Sequence, residues 1–168
     1  MKKTLLPLLL ALPLSAQAEL DSVDTYGFEL TIERTVAATQ EKAYRQFLNV
    51  GQWWNQDHTW FGHSKGLTID PKAGGCFCEI DGKKQAMHMI VSYVDPNQEL
   101  RMIGGLGPLQ MLGVHGGMSW QFSEVDKGKT KITLNYKVIG RMKEGLDKLA
   151  PVVDSVLNVQ MNNLAAKF

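Results

Sequence analysis

The sequence has few cysteines, no excess of charge of either sign and no apolar run long enough to cross a membrane. Two Cys among 168 residues are too few for the disulfide framework of a small secreted domain. Lys and Arg total 18 against 17 Asp and Glu, and they form no basic stripe, which argues against nucleic acid as a partner. A hydrophobic content of 44% is typical of one globular domain held together by a packed core.

Residues 1–18 have the pattern of a cleaved secretory signal peptide. Met1-Lys2-Lys3 is cationic, residues 5–14 form an apolar run broken by two prolines, and Ala16-Gln17-Ala18 resembles a cleavage site. A membrane-spanning helix needs roughly 20 apolar residues, so we expect no stable membrane anchor. The expected mature chain is a single domain, residues 19–168, with a formal charge of −1 after loss of Lys2 and Lys3. We expect it in the periplasm, with secretion as the alternative.

Hydrophobic periodicity predicts one strand, two short helices, six further strands and a long C-terminal helix. Alternating apolar residues predict a strand over Phe28–Val36, and Thr39 is a candidate N-cap of a helix reaching Val50. A second short helix is predicted to begin at residues 52–55. Turn signals separate the later strands, predicted at Leu67–Ile69, Cys76–Ile80, Gln85–Val94, Leu100–Ile103, Met118–Ser123 and Lys131–Ile139. Apolar residues from Lys143 onward recur at helical spacing, and Pro151 should kink this helix or mark its true start.

This order resembles the helix-grip superfamily of START-related lipid-transfer proteins, polyketide cyclases and dehydrases, and birch-pollen-type allergens. The resemblance covers residues 26–168 and rests on the element order with four local cues. These are the first strand running into Ala37–Tyr44, Trp53-Trp54 after the first helix, Gly74-Gly75 before a strand, and Tyr93-Val94-Asp95-Pro96 at a hairpin. It implies an α+β fold in which a curved seven-stranded antiparallel sheet wraps around the C-terminal helix. It also implies a cavity between the two.

The expected ligand of that cavity is a small apolar or amphipathic molecule, and no cofactor or metal is predicted. Met suits adaptable apolar surfaces, and Trp rings supply flat walls. The predicted lining residues are Trp54, Trp60, His63, Cys76, Cys78, Met87, Met89, Met102, Met118, Trp120, Val153 and Leu157. Each of them is also suited to filling the core. The glycine-framed stretch Leu109–Leu112 is either an apolar flap over the cavity or an ordinary loop.

The four histidines and two cysteines are the residues considered for metal binding, acid–base catalysis or redox chemistry. His58, His63, His88 and His115 show no metal-binding spacing, and each is expected to be structural. The alternative is His63 as a general base at the cavity entrance. Cys76 and Cys78 share a strand face about 6.6 Å apart, too far for a disulfide without a bulge. We therefore expect two reduced thiols facing the cavity, with redox or metal binding as the alternative.

The leading functional hypothesis is a periplasmic, non-enzymatic binding or carrier protein for an apolar, lipid-like ligand. The alternative is an enzyme similar to polyketide cyclases and dehydrases, acting on an apolar carbonyl compound. That alternative requires a polar pair inside the cavity, for which the loose candidates are His63, His88, Glu79 and Tyr136. A chaperone-binding module is a third option, which the signal peptide argues against. The sequence specifies no oligomeric state.

Overall fold

The computed structural model describes residues 19–168, so the predicted signal peptide lies outside the described residues. Eight antiparallel strands form one sheet in the order β1-β2-β8-β7-β6-β5-β4-β3. The strands are β1 (Glu19–Asp24), β2 (Gly27–Val36), β3 (Leu67–Ile69), β4 (Cys76–Asp81), β5 (Lys84–Asp95), β6 (Glu99–Ile103), β7 (His115–Asp126) and β8 (Lys129–Ile139). Helix α1 spans Gln40–Leu48 and helix α2 spans Ala150–Ala165. The α+β class and the C-terminal helix agree with the sequence-based prediction.

The core lies on the face of the sheet that both helices cover. Alternation buries Leu30 and Ile32 of β2, and α2 packs against this strand. Helix α1 begins at Thr39, whose hydroxyl accepts a hydrogen bond from the backbone N–H of Lys42 at 3.4 Å, as predicted for an N-cap. Phe47 of this helix packs its ring 4.9 Å from that of Trp120 on β7. The helices are thus fixed to the sheet by apolar burial.

The sheet has one strand more than predicted. Strand β1 follows the expected cleavage site and pairs with β2, with a register irregularity between Leu20 and Ser22. Residues 20–24 are all exposed, so this edge strand shows no alternation of buried and exposed side chains. No property of its side chains therefore distinguished it from a polar loop.

Of the two short helices predicted after the first strand, the first is present as α1 and the second is not. Residues 50–58 form two 3₁₀ turns, Val50–Gln52 and Gln56–His58, instead of a helix that begins at residues 52–55. Between them the indole N–H groups of Trp53 and Trp54 donate to the carbonyls of Phe47 and His58, both at 3.0 Å. The burial of two adjacent Trp rings, rather than helical periodicity, determines the path of this segment.

The C-terminal helix begins later than Lys143. Gly145 has a φ of +86°, which breaks helical geometry, and a 3₁₀ turn at Leu146–Lys148 precedes α2. Pro151 lies in the first turn of α2, where its missing N–H costs no hydrogen bond, so it marks the true start. Within residues 19–168, no helix has the length and apolar character required to span a membrane.

Candidate functional site

A cavity of about 330 Å³ lies where the first half of α2 meets the loops at one end of the sheet. Its walls are mainly apolar and come from three segments and one strand. They are Trp54, Asp57, His58, Thr59 and Trp60 after α1, Leu106, Gly107, Pro108, Leu109 and Leu112 after β6, Leu149, Val152, Val153, Val156 and Leu157 around α2, and His88 of β5. A mostly apolar cavity with a few convergent polar groups is typical of a small-molecule site.

Part of the predicted lining surrounds this cavity, and part lies elsewhere. Trp54, Trp60, Val153 and Leu157 line it. Four other predicted residues are buried in the core of the sheet instead, namely Met89, Met102, Met118 and Trp120. The sheet face is filled by its own side chains and by the helices, so the cavity forms beyond it, against the loops.

The remaining predicted lining residues lie outside the cavity wall. Met87 is 51% exposed, and the Nε2 of His63 lies 3.6 Å from the Oδ1 of Asp81, with both side chains about 40% exposed. The alternative hypothesis of His63 as a general base at the cavity entrance therefore has no geometric support. Cys76 and Cys78 are partly buried on β4, while the residues between and after them, Phe77 and Glu79, are fully buried.

The expectation of two reduced, cavity-facing thiols is also wrong. Cys76 and Cys78 form a disulfide, with their Cα atoms 5.4 Å apart. The pairing of β4 with β5 shifts register between Phe77 and Cys78, next to this disulfide. Metal binding would require free thiolates, which neither cysteine provides while the disulfide is intact. No three His, Cys, Asp or Glu side chains form a metal-binding group in the described part of the chain.

The same irregularity places His88 in the cavity wall. Phe77 pairs with Met89 and Cys78 pairs with Met87, so His88 is the extra residue of a bulge in β5. A bulge changes the phase of side-chain alternation, and as a result both His88 and Met89 are buried. A regular strand would have turned His88 to the face opposite its methionine neighbours.

His88 forms a buried pair with Glu79 of β4. The Nε2 of His88 lies 3.2 Å from the Oε2 of Glu79, and the two side chains are 4% and 0% exposed. The carboxylate also accepts hydrogen bonds from two backbone N–H groups, Trp60 to Oε2 at 2.9 Å and Phe61 to Oε1 at 2.8 Å. Hydrogen bonds from N–H donors favour the ionised carboxylate. Glu79 thereby joins the cavity segment at Trp60 to the sheet.

The pairing determines the proton distribution on the His88 ring. When the Glu79 carboxylate accepts from Nε2–H, Nδ1 of the neutral ring keeps its lone pair. That Nδ1 is buried and has no hydrogen-bond partner among the described residues. Burial lowers the pKa of His88 below its usual value, and the hydrogen bond to Glu79 opposes this effect. The cavity wall therefore includes a buried imidazole whose Nδ1 has no hydrogen-bond partner in the described part of the chain.

The stability of the protein should depend on pH through His88. Because the folded-state pKa of this ring is below the usual 6.5, the unfolded chain binds more protons than the folded one at pH values between the two. This contribution to stability is complete above pH 6.5 and decreases as the pH falls. We expect a smaller loss of unfolding free energy between pH 7.5 and 5.0 in His88→Gln than in the wild type, measured by urea unfolding. His115→Gln, at an exposed histidine, should match the wild type.

The segment after β6 closes one side of the cavity. Gly107–Leu112 is a 3₁₀ turn, and the side chain amide of Gln110 donates to the carbonyls of Met87 and His88 at 2.6 and 2.9 Å. The backbone N–H of Leu106 donates to the hydroxyl of Tyr136 at 3.0 Å. Burial raises the pKa of Tyr136 to about 12, so this phenol stays protonated and serves as an anchor for the turn. The turn is thus fixed over the cavity.

A second hollow, of about 410 Å³, lies between Leu48–Gln52 and Lys65–Ile69. Although larger, it is an open surface groove, and the one titratable side chain in its described lining is Lys65. It lacks the combination of apolar walls and a buried polar pair. The cavity beside α2 is therefore the candidate functional site.

The antiparallel sheet, the helix α2 packed on it and the cavity together define an α+β protein consistent with the helix-grip fold. Solved structures share this architecture at low sequence identity. Protein Ms6760 from Mycobacterium smegmatis is 17% identical, with a TM-score of 0.61 and coverage of 90% of this chain and 95% of that one. CalU16 from Micromonospora echinospora is 12% identical, with a TM-score of 0.54 and coverage of 89% and 87%. DynU16 is 16% identical, with a TM-score of 0.58 and coverage of 82% and 46%.

These similarities show the fold alone. In all, 204 chains of known structure match, so the architecture is common and does not select one function. No protein-family model matches the sequence, and neither does any curated protein.

Proposed function

We propose that this protein binds a small apolar or amphipathic molecule in the cavity beside α2. The observation that carries the proposal is the wall itself, in which twelve apolar residues or glycines surround His88 and three other polar residues. The volume of about 330 Å³ is at the lower end of the range for small-molecule sites. Trp60 and Val152, 49% and 57% exposed, give the cavity an apolar rim.

We further propose that the protein works outside the cytoplasm, in the periplasm or as a secreted protein. Two independent features support this location. The first is the signal-peptide pattern of residues 1–18, and the second is the disulfide between Cys76 and Cys78. Disulfides persist in oxidising compartments and are rare in the cytosol. A carrier role for the bound ligand accords with this location.

Filling the cavity should abolish ligand binding without unfolding the protein. Val153 is a partly buried wall residue, and Val153→Trp would place an indole in the space that the ligand needs. We expect the affinity for the fluorescent probe 1-aminoanthracene to fall at least tenfold, measured by titration of its fluorescence. The control is Val125→Trp on an exposed part of β7, which should bind as the wild type does. Equal affinity in both variants would place the probe outside this cavity.

A second candidate function is enzymatic, and the pair of His88 and Glu79 is the observation that favours it. His88 lines the cavity, and its Nε2 lies 3.2 Å from Glu79, which is buried behind the wall, so one member of the polar pair that this alternative requires reaches the cavity. One of the similar structures, DynU16, comes from the dynemicin biosynthetic locus. Neutral His88, held through Nε2 by Glu79, has the acceptor that a general base requires. The implied reaction is proton abstraction from carbon next to the carbonyl of an apolar compound.

This second function predicts hydrogen exchange in a simple ketone. Nδ1 of His88 would take a proton from the acetyl methyl group of 2-acetylnaphthalene, with the C–H electron pair moving into an enolate. Solvent exchange on the ring and return of a deuteron would label the ketone in D₂O. We expect His88→Gln to slow this exchange about 100-fold, measured by mass spectrometry of the ketone. Because burial lowers the pKa of His88, the wild-type rate should hold to below pH 6.5.

The matched control is His63→Gln, because His63 lies outside the cavity lining and pairs with the partly exposed Asp81. Its exchange rate should equal that of the wild type. Wild-type exchange no faster than in buffer would contradict the enzymatic function and leave ligand binding in place.

A further inference from the structure

A second histidine, His58, lines the same cavity and is held by a residue of α2. Gln160 is fully buried, and its side-chain Nε2 lies 2.7 Å from the Nδ1 of His58. Its Oε1 accepts a hydrogen bond from the backbone N–H of Asn55 at 2.8 Å. His58 is partly buried, and its backbone carbonyl accepts from the indole of Trp54 at 3.0 Å. Backbone and side chain of His58 are thus both fixed.

These contacts determine which nitrogen of His58 carries the proton. A backbone N–H can only donate, so the oxygen of the Gln160 amide must face Asn55 and the NH₂ group must face His58. An NH₂ group can only donate, so Nδ1 of His58 must accept. The proton of the neutral ring is then on Nε2, which makes that nitrogen a donor on a residue that lines the cavity.

The two histidines of the cavity therefore have opposite hydrogen-bonding properties. His88 is held through Nε2–H by Glu79 and has an unpaired acceptor at Nδ1. His58 is held through Nδ1 by Gln160 and has a donor at Nε2. Most of the remaining wall is apolar. A ligand matched to it has an apolar body and an acceptor oxygen for His58.

We propose that Gln160 is a positioning residue that holds His58 as a hydrogen-bond donor, so that the cavity selects apolar ligands that carry a carbonyl group. This inference rests on the proposed apolar-ligand function and names the ligand class. His58, in the loop after α1, would donate to the carbonyl oxygen, and the buried amide of Gln160 on α2 would keep the donating proton on Nε2 of the histidine.

The first test is the position of the proton. Nitrogen-15 NMR of histidine side chains distinguishes the two neutral tautomers, and we expect Nε2–H for His58 in the wild type at pH 9. In Gln160→Glu, the carboxylate still accepts from Asn55 but presents an acceptor to His58, so the proton should move to Nδ1 at the same pH. Wild-type His58 with its proton on Nδ1 would overturn the proposal without any ligand.

The second test compares two probes of nearly equal shape, 2-acetylnaphthalene and 2-ethylnaphthalene. One hydrogen bond corresponds to a preference for the ketone of roughly two- to tenfold, which should disappear in His58→Phe. It should also disappear in Gln160→Glu at pH 9, although no atom of residue 58 has changed. The control is His115→Phe, at an exposed histidine that does not line the cavity, which should keep the preference.

The outcomes separate the two proposals. If neither probe binds the wild type, the apolar-ligand function fails and carbonyl selection fails with it. If both bind but His58→Phe retains the full ketone preference, only the role of His58 and Gln160 is contradicted. Loss of the preference together with the change of tautomer in Gln160→Glu is the result that supports positioning.

Discussion

Glu79→Ala should lower the free energy of unfolding by about 3–5 kcal/mol. The substitution removes the acceptor of two backbone hydrogen bonds, from Trp60 at 2.9 Å and from Phe61 at 2.8 Å, together with the partner of His88. Glu79 is fully buried, so water cannot readily replace these contacts. Urea unfolding followed by far-ultraviolet circular dichroism measures the change.

Two variants make this result specific. Glu124→Ala, on an exposed position of β7, should change the unfolding free energy by less than about 0.5 kcal/mol. Glu79→Gln should fall between the two, because the amide keeps one acceptor oxygen but its NH₂ group faces another donor. A change of less than about 1 kcal/mol in Glu79→Ala would show that the carboxylate does not organise the segment at Trp60.

Trp120→Ala should destabilise the protein by a similar amount, about 3–5 kcal/mol. Trp120 is 1% exposed, and its ring centroid lies 4.9 Å from that of Phe47 and 5.8 Å from that of Trp53. Removing the indole leaves an empty volume between β7, α1 and the following segment, which a rigid sheet cannot close. The same unfolding measurement applies.

Trp60→Ala is the matched comparison for this substitution. Trp60 is 49% exposed at the rim of the cavity, so its truncation should cost less than about 1 kcal/mol of stability. It should instead weaken the binding of 1-aminoanthracene. Equal destabilisation by both substitutions would contradict the division between core and cavity described above.

Much of the fold follows from local patterns in the sequence. Strand β3 lies at Leu67–Ile69 as predicted, and the other predicted strands extend by a few residues at their ends. Alternation identified these strands because each buries one face. Edge strand β1 was not predicted because residues 20–24 are all exposed, so no alternation of buried and exposed side chains marks the strand.

The site was harder to predict because it depends on one irregularity and on distant segments. The bulge at His88 reverses the side-chain phase in β5, and no pattern in the surrounding sequence indicates it. The burial of Glu79 could have been predicted from the sequence. Phe77 and Glu79 share a strand face, so an inward Phe77 places the carboxylate of Glu79 inward as well. The prediction instead turned Cys76 and Cys78 inward, which is the wrong face of β4.

The contact between Gln160 and His58 joins residues far apart in the chain. Gln160 lies at helical spacing from Leu157 and Leu164 on the buried face of α2, yet periodicity cannot identify the partner of a buried amide. Only the packing of α2 against the loop after α1 brings the two side chains together.

The central claim is that the cavity beside α2 holds an apolar molecule, and NMR can locate that molecule directly. With ¹³C-labelled protein and unlabelled 2-ethylnaphthalene, we expect intermolecular NOEs from the naphthalene protons to the methyl groups of Leu109, Val153 and Leu157. NOEs confined to Leu48, Leu67 and Ile69, which line the open groove, would contradict the claim, as would the absence of any intermolecular NOE at saturating probe.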